Sequence, residues 1–205
     1  MKFFRFICLF ILFLFLLGVT VPGLIKPPIA HALPTSFFKA EVASGFDEPT
    51  DFTETPDGKI LVIEKSGSIK IVSNGIVSNF TSNPIAVNFQ GERGLLGITL
   101  DPNYNQNRFI YIFYVNNSPL EYHLSRITEN NGQMVSGSEV VIYKTATNLN
   151  GRTHLGGGLR IGPDGKLWFT IGDNTLNVEK EPQKKTSSYG KLHRINIDGS
   201  IPSDN

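Results

Sequence analysis

The chain has one cysteine, Cys8, and it lies within the first 32 residues. Residues 33–205 therefore carry no thiol, which excludes cysteine nucleophiles, cysteine-ligated zinc and disulfides together. No long stretch of helical periodicity follows residue 32, and no Gly-x-Ser-x-Gly elbow of a serine hydrolase occurs. Basic runs are missing too. Of 19 Lys and Arg, 16 fall after residue 32 against all 18 acidic residues, a net charge of −2 there, so nucleic acid is not an expected partner.

What is present begins with an export signal. Lys2 and Arg5 form a positive end, Phe6–Leu17 is an unbroken apolar run, and Ala30-His31-Ala32 offers a small-x-small cleavage site. Left uncut, Phe6–Ile25 is long enough to span a bilayer. Residues 1–32 therefore read as a signal peptide or N-terminal anchor, and residues 33–205 as a partial β-propeller domain. Either way the expected location is extracellular or periplasmic, with a membrane met only through an uncleaved N-terminal segment.

The propeller reading comes from the strands. Short β-branched and aromatic runs recur between Gly, Asn, Asp and Pro: Thr50–Glu54, Ile60–Glu64, Ile69–Val72, Gly94–Leu100, Phe109–Val115, Tyr122–Thr128, Glu139–Thr145, Gly158–Ile161, Leu167–Ile171 and Lys191–Ile197. PDGKILVI from Pro56 returns as PDGKLWFT from Pro163, and Asp101-Pro102 opens a similar turn. Units of about 40–50 residues with four short strands have the period of propeller blades. A sandwich uses such strands as well, but one turn motif at one place in each unit favours the propeller. Blades are expected near 40–80, near 92–146 and from 154 onward, the third without a fourth strand. Propellers close through at least four blades. The expectation is thus an N-terminal portion of a longer ring, or, less favoured, a chain that self-associates through open blade edges.

The stretch from His154 to Asp173, HLGGGLRIGPDGKLWFTIGD, carries the chemistry. Pro163-Asp164-Gly165 is a turn, so its flanking strands pair as a hairpin and His154 and Asp173 fall at the same end. A carboxylate beside a histidine fixes its tautomer and raises its basicity, as a general base requires; the plainer alternative is a histidine bonded to loop backbone. Gly156-Gly157-Gly158 lacks the strand-to-helix context of a dinucleotide loop and reads as close approach to a strand or to a flat ligand. In GERGLLGITLDPNY from Gly91, the glycines bracket an expected buried Leu95-Leu96. Glu92 and Arg93 either face a central site or pair with each other. Asp173-Asn174 with Glu179, and Asn196 with Asp198 and Gly199, have oxygen donors but not calcium-loop spacing, so no metal ligand is assigned.

GERGLLGITLDPNY, HLGGGLRIGPDGKLWFTIGD and YGKLHRINIDGSIPSDN, in this order, resemble the glucose/sorbosone dehydrogenase family over roughly Phe37 to Asn205. The resemblance implies an all-β, six-bladed propeller, here about three incomplete blades of four-stranded antiparallel sheet. It implies pyrroloquinoline quinone and calcium as cofactors, most of their ligands lying beyond Asn205. It implies a sugar substrate whose hydroxyl proton goes to His154 while hydride passes to the quinone, with Asp173 orienting the histidine and with Glu92 and His154 at the cofactor. The electron acceptor is not implied. Glu92 stands where the quinone enzymes have glutamine, which keeps a non-catalytic, exported propeller that binds carbohydrate or protein as the second reading.

Overall fold

The computed structural model describes residues 38–145, 149, 151–175 and 181–205. Residues 1–32, read above as a signal peptide or anchor, therefore lie outside the described residues. Three antiparallel sheets follow one another along the chain. The first orders β1 (Pro49–Glu54), β2 (Ile60–Glu64), β3 (Ile69–Ser73) and β4 (Ile76–Asn79). The second orders β5 (Leu95–Leu100), β6 (Phe109–Val115) and β7 (Tyr122–Asn130); β7 pairs with both the two-residue β8 (Gln133–Met134) and β9 (Val140–Lys144). The third has β10 (Gly156–Ile161), β11 (Leu167–Ile171) and β12 (Lys191–Ile195). A single helical turn, α1 (Tyr104–Asn107), sits between β5 and β6.

The strand β6, FIYIFYV, shows why the middle sheet has so little polar sequence. Alternate side chains of a strand point to opposite faces, and both faces of this sheet are covered. Ile110, Ile112 and Tyr114 pack with Leu61, Ile63 and Ile69 of the first sheet. Tyr111, Phe113 and Val115 pack with Leu159, Phe169 and Ile171 of the third. On the second side the aromatic rings contact directly, Phe113 stacking on Tyr122 with centroids 5.3 Å apart and lying 5.5 Å from Phe169. The two clusters are the face-to-face stacking of successive blades, the middle blade supplying one face to each core.

The first strand of each sheet meets its counterpart. Thr50 Oγ1 donates to the Leu95 carbonyl at 2.6 Å, joining β1 to β5. The Ile98 N–H donates to Asp51 Oδ2 at 3.3 Å, and Arg160 of β10 reaches the same carboxylate at 2.9 Å, so Asp51 ties three sheets. Glycine permits the approach of β5 to β10: a Cβ on Gly97 would strike the Gly157 carbonyl and come within 2.9 Å of Leu159 Cβ.

Most expected strands are present, with β10 starting two residues early at Gly156 and β12 ending two early at Ile195. Two strands and α1 escaped the sequence reading. Both strands follow Asn-Gly pairs with positive φ, Asn74-Gly75 (51° and 77°) and Asn131-Gly132 (51° and 79°), the signature of a type I′ hairpin. Their residues are few and largely polar or exposed, so the turn was their only strong signal. At four residues, α1 is too short to show a period. Leu95 is fully buried as expected, whereas Leu96 is only half-buried, packed on the second cluster.

Candidate functional site

The hairpin of β10 and β11 turns through Pro163–Gly165, closed by Gly162 N–H to the Lys166 carbonyl at 2.9 Å, with Gly165 at φ 70°. Its register pairs Ile161 with Leu167 and Leu159 with Phe169, then shifts before Gly156 meets Ile171. The shift falls in the glycine run, where Gly156 and Gly157 have φ of 83° and 117°, values that side chains rarely tolerate. Pairing continues beyond the strands: Gly172 N–H donates to the Leu155 carbonyl at 3.0 Å and Asn174 N–H to the His154 carbonyl at 3.1 Å. Gly172 has to be glycine because a Cβ there would strike that same carbonyl.

The outcome is the expected juxtaposition. His154 Nδ1 lies 3.0 Å from Asp173 Oδ1, which also accepts the Thr175 N–H at 2.9 Å. A carboxylate only accepts, so Nδ1 carries a proton, and in the neutral imidazole the lone pair is on Nε2. The His154 side chain is 58% exposed and Asp173 23%, so the ring stands out from the surface with its acidic partner behind it. Among the described residues Nε2 has no partner. The arrangement can accept a proton from a bound hydroxyl and hold the resulting imidazolium against Asp173.

His154 itself has φ 57°, in the left-handed region, which costs a non-glycine residue on the order of 1–3 kcal/mol. Neighbouring contacts hold it there. Glu92 Oε2 accepts the His154 N–H at 2.7 Å, and the Glu92 N–H donates to the Arg152 carbonyl at 2.7 Å. Arg93 is buried below the same loop, its Nε and Nη2 donating to the Gly151 carbonyl at 3.1 and 2.7 Å and its Nη2 to the Leu149 carbonyl at 3.0 Å. Burial, then the nearby Arg152 charge, holds its pKa below the ordinary arginine value. Glu92 and Arg93 therefore do not pair with each other, and Arg93 does not face outward; consecutive residues grip one loop from two sides. Tyr122 adds a third hold, its hydroxyl donating to the Leu155 carbonyl at 3.0 Å, while burial pushes its own pKa up.

Sequence reasoning missed the roles of Arg93, Tyr122 and Asn174. Asn174 is fully buried with φ 56°, and among the described residues neither its side-chain amide nitrogen nor its side-chain oxygen has a hydrogen-bond partner. In the sequence it is marked only as an oxygen donor beside Asp173.

Among the described residues neither oxygen-rich stretch assembles a metal site. Asp173 is committed to His154 and Thr175, Asn174 is buried, and Glu179 lies outside the described residues. Asp198 Oδ1 caps the Ser200 N–H at 2.9 Å and its hydroxyl at 2.6 Å, while Asn196 accepts from Lys166 at 2.9 Å, contacts of an ordinary Asx turn. Among the described residues no three His, Cys, Asp or Glu side chains cluster as metal ligands.

Residues 46–205 match the family described as Glucose / Sorbosone dehydrogenase. The chain belongs to this family. Among its relatives in the glucose/sorbosone dehydrogenase family, quinoprotein glucose dehydrogenase B of Acinetobacter calcoaceticus is 30% identical over 203 residues, 86% of this chain and 42% of that protein. The PQQ-bound aldose sugar dehydrogenase of Streptomyces coelicolor superposes with a TM-score of 0.72 at 26% identity, over 80% of this chain and 49% of that one. Mouse Hedgehog-interacting protein is 28% identical over 181 residues, 77% of this chain and 25% of its own length. The chain spans half or less of the length of each of these relatives. The three sheets are accordingly blades of a β-propeller.

Proposed function

We propose that this chain is part of an exported aldose dehydrogenase that uses pyrroloquinoline quinone, with His154 as general base and Asp173 as its orienting carboxylate. One observation carries the reading: the imidazole that the family resemblance assigns as base is held through Nδ1 by Asp173 at 3.0 Å and presents an unpaired Nε2 outward. The described residues fit one edge of a flat quinone, through His154 and the exposed backbone of Gly156 and Gly158. Among the described residues no donor cluster fits calcium. When bound, the quinone supplies the hydride acceptor. His154 takes the sugar hydroxyl proton at Nε2, and Asp173 stabilises the imidazolium formed.

The test is dye-linked aldose oxidation by the protein supplied with the quinone and calcium. His154→Ala is expected to lower kcat by about 10²–10⁴, the usual contribution of a positioned base, with its circular dichroism retained. Full turnover by that variant would remove His154 from the role.

The similarity to Hedgehog-interacting protein favours one other reading, a non-catalytic binding propeller. It expects a folded protein that shows neither saturable quinone binding nor dye reduction.

A further inference from the structure

We infer that Glu92 is a positioning residue for His154 rather than a contact to the cofactor, its carboxylate being committed to the backbone of the proposed base. Three observations converge. The Glu92 carboxylate accepts the His154 N–H at 2.7 Å across 62 positions of sequence. The Glu92 N–H donates to the Arg152 carbonyl at 2.7 Å, and a Cβ on Gly91 would lie 2.5 Å from that carbonyl, so the 91–93 segment lies flush against the loop. The next residue, Arg93, holds the Leu149 and Gly151 carbonyls from beneath. A blade-two segment thus grips the connection into blade three at both ends.

The grip has a purpose because His154 is in the left-handed region at φ 57°. Such a backbone persists where its surroundings over-determine it. A carboxylate acceptor gives a charge-assisted bond, shorter and stronger than a neutral one, and it is aimed at the one N–H whose direction sets φ at His154. The ring is steered separately, by Asp173 on Nδ1. Two carboxylates from two blades therefore divide the task, one fixing the backbone of the histidine and the other its imidazole.

The consequence for turnover rests on the proposed role of His154, but the contact can be read without it. Amide exchange and imidazole nitrogen shifts are measured on the cofactor-free protein as wild type, Glu92→Gln and Glu92→Ala, with His123 and His193 as controls for the fold. His154 N–H exchange should accelerate at least tenfold in Glu92→Ala and stay near wild type in Glu92→Gln, whose side-chain carbonyl still accepts. The His154 imidazole signals should move in Glu92→Ala while those of His123 and His193 do not. With quinone added, Glu92→Ala should lower kcat while the quinone dissociation constant stays within about twofold.

Unaltered His154 exchange in folded Glu92→Ala would overturn the inference, as would a weakened quinone affinity with the His154 signals intact. If Glu92→Ala does not fold, a scalar coupling through the hydrogen bond, from His154 ¹⁵N to Glu92 ¹³Cδ in the wild type, decides the matter: its presence supports the contact and its absence refutes it. Should His154→Ala keep full turnover, the base assignment fails alone and these spectroscopic results stand.

Discussion

His154 and Asp173 show how much two side chains can do when a hairpin holds them together. The Asp173 oxygen that faces Nδ1 at 3.0 Å determines which ring nitrogen is left to take a proton. Asp173→Asn should therefore keep the shape and lose the function, since an amide can offer Nδ1 its N–H and favour the wrong tautomer. Turnover is expected to fall by about 10²–10⁴ in the dye-linked assay, within the range of a lost general base, with thermal midpoint nearly unchanged. The pair was legible in the sequence because hairpin register is local: a turn at Pro163–Gly165 places residues equally far on either side at one end. The partner of Glu92 was not legible, because 62 residues separate it from His154 and only the stacking of two blades brings them together.

Blade three offers a sharper test at the level of the element. His193 of β12 stacks on Phe169 of β11, centroids 5.0 Å apart and planes 12° from parallel. Burial, and secondarily the Lys191 charge, hold its imidazole below the ordinary value of 6.5, against the opposing pull of the Ser188 carbonyl bonded to Nε2. The unfolded chain then takes up a proton that the folded blade resists. The stabilisation is full above pH 6.5 and is lost as pH falls below it. Urea midpoints of wild type should drop more between pH 7.5 and 5.5 than those of His193→Phe; an equal drop would contradict the assigned shift.

Glycine contacts between elements give a second test. Gly97→Ala would drive a methyl into the Gly157 carbonyl at the β5–β10 approach. The expected cost is about 1–3 kcal/mol or more, as for other overpacked positions, read from the denaturant midpoint. The sequence marked the GERGLLG and HLGGG glycines as sites of close approach. It could not show that they meet each other, Gly157 against Leu96 and Gly97 against Gly157.

Across the whole molecule, the sheets are joined by two apolar clusters and by a few polar ties where their first strands converge. Asp51 is the densest of these, bonding the Ile98 N–H and Arg160. Its link to Arg160 adds little, because that side chain is 63% exposed and screened by water. Its bond to Ile98 matters more, since Ile98 is buried and would keep an unpaired N–H. Asp51→Ala should cost about 1–3 kcal/mol on that account, measured by chemical unfolding, and Arg160→Ala much less.

By itself the sequence determined the all-β class, the blade period, most strands and the His154–Asp173 pair. Each depends on spacing within a few tens of residues: alternation along a strand, the chemistry of a turn, the register of a hairpin. Tertiary structure alone decided which apolar faces meet, that Arg93 lies buried under a loop, that Asp51 joins three blades and that Glu92 holds the backbone of His154. Those contacts arise between segments whose separation along the chain carries no period. They exist only once sheet stacking has brought distant backbone within hydrogen-bonding reach.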